Sequence, residues 1–336
     1  MKIVNPSVEV LRTGLEKDFM TPEQFIEKVG RTCYKSEDKI TAESAPKFVR
    51  GLMLRGHEAM LEHWTLIFRV EEFDDFLEIK EAWSCASAVP WNDAAATADD
   101  SFVPKIRFTS VDDRHTISGN IRSWRDWVRS YLRNPNEDTR FIPNYLWDVM
   151  DCAPLFFDDM NDWYDDRPRE EGYEPIMKQI TVNDLQGNLE HLVHHNVTLK
   201  FVCDRGVSHE LVRHRAASFA QESTRYCNYS SGKYGAEITV VRPSWCPQNS
   251  DEYKAWERAC MRTEDEYMTL IGYGCVPQQA RAVLNNSLKT EVIVTGSMGH
   301  WHHFFGLRCG PEAQPDMREV ACMARDLMKQ VLANEH

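Results

Sequence analysis

Two stretches decide how this chain is read: Val197-Thr198-Leu199-Lys200-Phe201-Val202-Cys203, and after it Arg213-His214-Arg215-Ala216-Ala217-Ser218-Phe219-Ala220-Gln221-Glu222-Ser223-Thr224-Arg225-Tyr226. In the first, Val197, Leu199, Phe201 and Cys203 alternate with Thr198, Lys200 and Val202, the period of a strand with one buried face. The second is the densest basic and polar run of the chain. A continuous helix would hold Arg213 and Ser223 about 15 Å apart. Both serve one ligand only if the segment leaves the helix and turns; otherwise its two ends serve neighbouring ligands. Ser223, Thr224 and the 228–232 stretch are poor helix formers and good anion donors, and three arginines offer the forked geometry that suits phosphate. The alternative is a salt-bridged surface helix, whose Arg-His-Arg repulsion would need nearby anions.

Outward from there, Thr65 to Val70 alternates in the same way, and Ile106/Phe108 and Ile238/Val240 mark two more strands. Thr21 caps a helix with Pro22 at its first position and Gln24 completing a capping box. A second helix runs from about Ala45 to Arg55 and stops at Gly56. Ser250 caps a third, Pro277 opens another, and Met317, Val320, Ala321, Ala324, Leu327, Met328 and Val331 give a final amphipathic helix. Helices and strands are intermixed without a regular βα alternation. The expected class is α+β, a mixed and largely antiparallel sheet flanked by helices, with a mostly helical acidic insertion.

The 336 residues, 42% hydrophobic and 27% charged, suffice for one large or two modest cores. The net charge of -13 opposes broad nucleic-acid binding, so an anionic ligand needs a local basic pocket. Residues 148–174 hold ten acids (Asp148, Asp151, Asp158, Asp159, Asp162, Asp165, Asp166, Glu170, Glu171, Glu174) against Arg167 and Arg169, expected as a solvated surface insertion that Trp147, Phe156, Phe157, Trp163 and Tyr164 tether. No apolar run reaches the roughly 18 residues of a membrane span. The first residues lack a secretory pattern, so a cytoplasmic location is expected. Ten cysteines without a CxxC pair read as free thiols.

No metal site is expected. His57 with His63 is spaced i+6 and His209 with His214 i+5, both off the single helical face that a zinc pair requires, and His191-x-x-His194-His195 has no companion Cys. Cys227, in a polar run beside Arg225, is a candidate nucleophile whose bland alternative is a structural thiol. There is no GxGxxG and no GxxxxGK[ST]. A weak internal echo relates Ser118-Gly119-Asn120-Ile121 with Trp124 to Thr295-Gly296-Ser297-Met298 with Trp301, each a small-Gly turn from a strand into an aromatic helix. Chance and duplication both remain open at this level.

Arg213-His214-Arg215, seven residues and then Ser223 resemble the RHR-x7-S signature of the flavin-dependent thymidylate synthases. Arg31-Thr32-Cys33-Tyr34-Lys35-Ser36, Gly56 to His63, Gln279 to Leu284, Ser287 to Glu291 and His303 to Arg308 agree with it, in the family's order. The resemblance implies a single domain over 1–336 with an insertion at 72–195, assembled as a homotetramer with shared active sites. It implies FAD as cofactor, with NADPH and methylene-tetrahydrofolate as co-substrates, for reductive methylation of dUMP to dTMP without a cysteine nucleophile. Arg213, His214 and Arg215 would contact the flavin. Gln221, Glu222, Ser223, Thr224 and Arg225 would cradle dUMP, Gln221 also facing the flavin. Arg281 and Glu210 would lie at the nucleotide with Arg213, and Arg308 would stabilise the uracil anion. His57, Glu62, Ser297 and His303 would line the flavin side.

The chain departs from the family pattern in places. Ala220-Gln221 stands where many members have Asn-Glu, Ser297 and Gly299 where an Asn and an Arg are common, and Glu312 where some have His. A carboxylate at Glu210 beside a phosphate needs a cationic partner, expected from Arg213 or Arg225. The other readings are methylation or hydroxymethylation of a different pyrimidine nucleotide such as UMP, and a non-catalytic nucleotide-binding relative.

Overall fold

The structure is a computed structural model that describes residues 1–16, 20–88, 106–133, 142–160, 169, 172–232 and 235–335. The chain forms two compact units, Met1–Ser44 with Val197–His336, and Ala45–Asn196. The described elements begin with β1 (Lys2–Val4), β2 (Ser7–Arg12), α1 (Pro22–Tyr34), α2 (Ser44–Leu54), β3 (Thr65–Val70), α3 (Phe73–Ala88), β4 (Ile106–Val111), β5 (Arg114–Asn120), α4 (Ile121–Arg133) and α5 (Asn144–Cys152). There follow β6 (Met177–Ile180), α6 (Gly187–His194), β7 (Asn196–Asp204), α7 (Arg205–Leu211), β8 (Ser218–Gln221), β9 (Thr239–Val241), α8 (Asp251–Gly272), α9 (Pro277–Ala280), β10 (Lys289–Ser297), α10 (Met298–Arg308) and α11 (Pro315–Glu335). The intermixed helices and largely antiparallel strands make the fold α+β, as the sequence pattern implies. None of the described helices is long and apolar enough to cross a membrane.

In the first unit a four-stranded sheet runs β2-β7-β10-β8, and β1 pairs with β9 in a small parallel ribbon. The alternation in β7 buries Leu199 and Phe201 against Val292 and Val294 of β10, Trp301 and Phe304 of α10, and Val320, Ala321 and Ala324 of α11. Trp301 is fully buried, and its indole N–H donates to the Val197 carbonyl at 3.0 Å, so its bulk sits in the core without an orphaned donor. α1 starts as its sequence indicates: Thr21 accepts from the Gln24 amide while the Gln24 side chain accepts from the Thr21 amide. Lys35, at φ 48, closes it in the left-handed region.

The second unit has its own antiparallel sheet, β4-β5-β3-β6. Phe68 and Trp124 meet edge to face at 5.6 Å, and Trp124 stacks on Trp127. Among the described residues of 72–195 helices outnumber strands, and β3 joins β4, β5 and β6 in one sheet. Of the acids described there, Asp151, Asp159 and Glu174 are exposed as their composition implies, and Asp148 departs from it. Asp148 is buried, accepting from Tyr173 Oη and from the amides of Ile176 and Met177, while Asp159 grips Arg125 and Asp158 pairs with Arg50. A buried carboxylate persists only with such partners. Asp162, Trp163, Tyr164, Asp165, Asp166, Arg167, Glu170 and Glu171 lie outside the described residues.

Candidate functional site

The arginine-rich segment does leave the helix. α7 ends at Leu211, residues 212–217 turn, and β8 then runs antiparallel to β10, with Ser218 opposite Thr295 and Gln221 opposite Val292. Four strand residues put about 13 Å between the 213–215 turn and the 222–226 turn. The two ends of the segment are therefore separated by the length of β8.

At the first end, His214 lies edge-on to Phe304 at 4.9 Å. Arg308, at the C-terminal end of α10, donates from Nε to His214 Nε2 at 2.9 Å and from Nη1 to Glu210 Oε2 at 2.7 Å. The partner that Glu210 needs is thus Arg308, where Arg213 or Arg225 was expected: α10 returns over the end of α7, and both other arginines stand exposed. Burial pushes His214 down to about 4, and the charges of Arg308 and His303 push the same way. At neutral pH its ring is uncharged and accepts the guanidinium proton. As pH falls from the ordinary 6.5 towards 4, the unfolded chain gains a proton there before the folded one does, so the fold loses stability through that window. In Arg308→Ala the His214 midpoint should rise part of the way back to 6.5; imidazole NMR titration checks this, and an unmoved midpoint would assign the shift to burial alone.

Arg213, Arg215 and Arg225 are exposed, and among the described residues none of them pairs with a carboxylate. Such guanidinia, in a chain of net charge -13, are where an anionic ligand gains most. Arg225 lies over the Tyr226 ring at 5.7 Å. Arg281, also exposed, donates to buried Thr224 Oγ1 at 3.3 Å, which ties the 281–283 turn to the signature segment. Ser223 Oγ accepts from the Arg225 amide at 3.4 Å, and the Ser223 amide donates to the Cys33 carbonyl.

Gln221 is tied down by Ser208 Oγ at 2.9 Å and Thr290 Oγ1 at 3.3 Å. Glu222 turns away from the arginines. It is 3% exposed, 2.9 Å from Lys289 Nζ, and accepts from the Cys227 thiol at 3.7 Å. Lys35 and Glu291 complete the cluster, with Lys35 Nζ 2.5 Å and Lys289 Nζ 2.6 Å from Glu291. Burial would raise Glu291, but Lys289 and Lys35 outweigh it and bring the carboxyl down to about 2. A cavity of about 400 Å³ borders this cluster, lined by Lys2, Lys35, Glu222 and Lys289 among others, and by none of the exposed arginines. Lys35 and Lys289 carry no role in the sequence reading, although both fall inside stretches it quotes.

Ser297 caps α10, its Oγ accepting from the His300 amide at 3.3 Å, and is buried; His303 is exposed one turn on. Cys227 is fully buried. His57 and Glu62 belong to the second unit. His57 is exposed before the Glu58–His63 turn, and Glu62 pairs with Arg122 at 2.9 Å.

Residues 16–78 and 160–333 match the family model described as thymidylate synthase complementing protein. The chain belongs to that family, the flavin-dependent thymidylate synthases. The flavin-dependent thymidylate synthase of Pyrococcus furiosus is 33% identical over 154 residues, covering 43% of this chain and 62% of that protein. That of Geobacter sulfurreducens is 36% identical over 127 residues, covering 38% and 53%. The chain thus spans about half to three fifths of the curated relatives it matches. A crystal structure of a UMP/dUMP methylase from Streptomyces cacaoi aligns at 22% identity and a TM-score of 0.34, covering 42% of this chain and 67% of that one. The family match resumes at 160, so part of the 72–195 stretch lies within it.

Proposed function

We propose that this chain methylates dUMP to dTMP reductively, with FAD as cofactor and methylene-tetrahydrofolate and NADPH as co-substrates, in a homotetramer with shared active sites. The observation that carries the reading is the Arg308 guanidinium held between neutral His214 of the signature segment and Glu210 of α7. Two side chains fix its plane before any substrate arrives. A preoriented cation in that setting favours a uracil ring that has lost its N3 proton.

The exposed guanidinia fit phosphate-bearing ligands at both ends of β8. Arg213 and Arg215, with His214, would hold the flavin, and Ser223, Thr224, Arg225 and Arg281 the nucleotide phosphate. Glu222 supports the dUMP segment from behind, through Lys289, rather than by touching the ligand. Bound flavin supplies the reducing equivalents that complete the methyl group at uracil C5. Cys227 takes no part as a nucleophile, because it is enclosed by Glu222 and the core.

Tritium release from 5-tritiated dUMP, run with and without FAD, NADPH and methylene-tetrahydrofolate, tests the reading. Turnover that survives omission of FAD, or that prefers UMP, contradicts it. Cys227→Ser keeps its turnover; complete loss in a folded variant would restore the covalent mechanism.

A further inference from the structure

Two thiols lie beside the guanidinium that grips the signature segment. Among the described cysteines of the first unit, only Cys275, Cys309 and Cys322 reach the surface in part; the others are buried. Cys309 is the C-cap residue of α10, directly after Arg308, and its amide donates to the Phe305 carbonyl. Cys322 lies two turns into α11. The 309–314 turn returns the chain so that α11 packs on α10, and Cys309 rests on the core cluster that holds Val320, Ala321 and Ala324. That packing brings the two sulfurs into hydrogen-bonding contact.

The two sulfurs are not equivalent. Arg325, one turn beyond Cys322 on the same helical face, acts on both of them. A guanidinium there favours a thiolate, and its exposed partner Asp326 tempers the effect. Cys309 keeps the shared proton, because burial and then Cys322 push its thiol up to about 11. Cys322 is therefore the attacking sulfur and Cys309 the resolving one.

Their backbones differ in freedom as well. Cys322 sits inside a helix whose neighbouring Val320, Ala321 and Ala324 are buried. Cys309 ends its helix and precedes Gly310, where a Cβ would meet nothing nearer than a carbonyl oxygen at 3.9 Å. An S–S bond is about 2.0 Å long, so closing it draws the end of α10 towards α11. Arg308 moves with that end. Its contacts with His214 Nε2 at 2.9 Å and Glu210 Oε2 at 2.7 Å tolerate little displacement.

We propose that a peroxide joins Cys309 and Cys322 in a reversible disulfide, and that its closure pulls Arg308 off His214 and Glu210 and so switches the site off. The Cys322 thiolate attacks a peroxide oxygen, the O–O bond breaks, and the departing hydroxide takes up the proton that Cys322 released. The Cys309 thiolate then attacks the Cys322 sulfenic acid; the S–S bond forms, the S–O bond breaks, and the second hydroxide takes the Cys309 proton. Two thiols lose two electrons in all, and the peroxide is reduced to two waters. Disulfide formation stands apart from the reaction proposed above, whereas the loss of turnover rests on it.

The test treats the full chain with hydrogen peroxide or with dithiothreitol, alkylates it and maps its peptides by mass spectrometry. A 309–322 disulfide peptide should appear after peroxide and vanish after dithiothreitol. Burial still holds the His214 midpoint down in the oxidised chain, but without the Arg308 charge it should rise part of the way from about 4 towards 6.5, read by imidazole NMR. Tritium release from 5-tritiated dUMP should fall about ten- to a hundredfold on oxidation, as loss of charged hydrogen bonds implies. Cys322→Ser should keep its turnover under the same treatment. Free thiols, sulfinic acids in place of the crosslink, or a crosslink to Cys275 overturns the pair. A 309–322 disulfide that leaves the His214 midpoint unmoved overturns the displacement, as does a Cys322→Ser chain that peroxide inactivates as fully as the wild type. A reduced chain that releases no tritium sinks the proposed reaction, while the peptide map and the titration still decide the disulfide.

Discussion

Arg308→Ala should lose about a hundred- to a thousandfold in tritium release from 5-tritiated dUMP, with the fold retained. The magnitude is that of removing one preorganised donor from a developing anion, about 3–4 kcal/mol. Retention of the fold follows from exposure, because the Arg308 and Glu210 side chains are 23% and 33% accessible and a half-open pair adds little stability. Deletion also unties His214 and Glu210, so Arg308→Lys, which keeps the charge but not the fork, separates the two effects. Lys should restore the Glu210 contact and leave most of the turnover missing. Near-normal turnover in the Ala variant, with unchanged circular dichroism, would remove Arg308 from the chemistry.

Lys289→Met carries the largest expected loss of stability. Two carboxylates, Glu222 and Glu291, face this ammonium at 2.9 Å and 2.6 Å, and Glu222 is almost wholly enclosed. Removing the cation leaves buried negative charge that Lys35 alone must balance, which costs on the order of 3–5 kcal/mol. Chemical denaturation reads the loss directly; a change under about 1 kcal/mol would mean that water already screens the cluster. The same cluster sets an acid limit. The Glu291 carboxyl sits at about 2 in the fold, below its ordinary 4.5, so its contribution is complete above 4.5 and disappears as pH falls towards 2. In Lys289→Met that contribution shrinks, and the acid transition should move to higher pH. An acid midpoint that stays put would place the limit elsewhere, His214 being the other candidate through its window between 6.5 and 4.

Much of the candidate site was legible because its parts lie close in sequence. The 213–226 run shows its cations, its hydroxyls and its poor helix formers within one stretch, which made a turn one of two readings beside a surface helix. Glu210 illustrates what was not legible. Its need for a cation followed from its charge, yet the cation comes from 98 residues away, on a helix whose path no local pattern reveals. Glu222 shows another side of it: an acid beside Ser223 invites a ligand role, but just past β8 its side chain meets lysines at 35 and 289, which no local pattern announces. Strand alternation decides inside from outside once pairing is known, and pairing is a tertiary fact.

The short sequence echo divides along the same line. A short echo of glycine, small polar residue and tryptophan was visible at 118–124 and 295–301, too brief to distinguish ancestry from chance. Sheet order and the packing at these corners exist only in three dimensions, where a Cβ on Gly119 would meet Ile106 and Trp124 and one on Gly296 would meet His300. By itself the sequence determined the class, the strands with alternating faces, the capped helices and the signature arginines, since each rests on neighbours within a few residues. The tertiary structure alone decided which charges meet: Arg308 with Glu210 and His214, Lys289 with Glu222 and Glu291, Arg122 with Glu62. Coulomb energy depends on distance through space, and the distance along the chain does not set it.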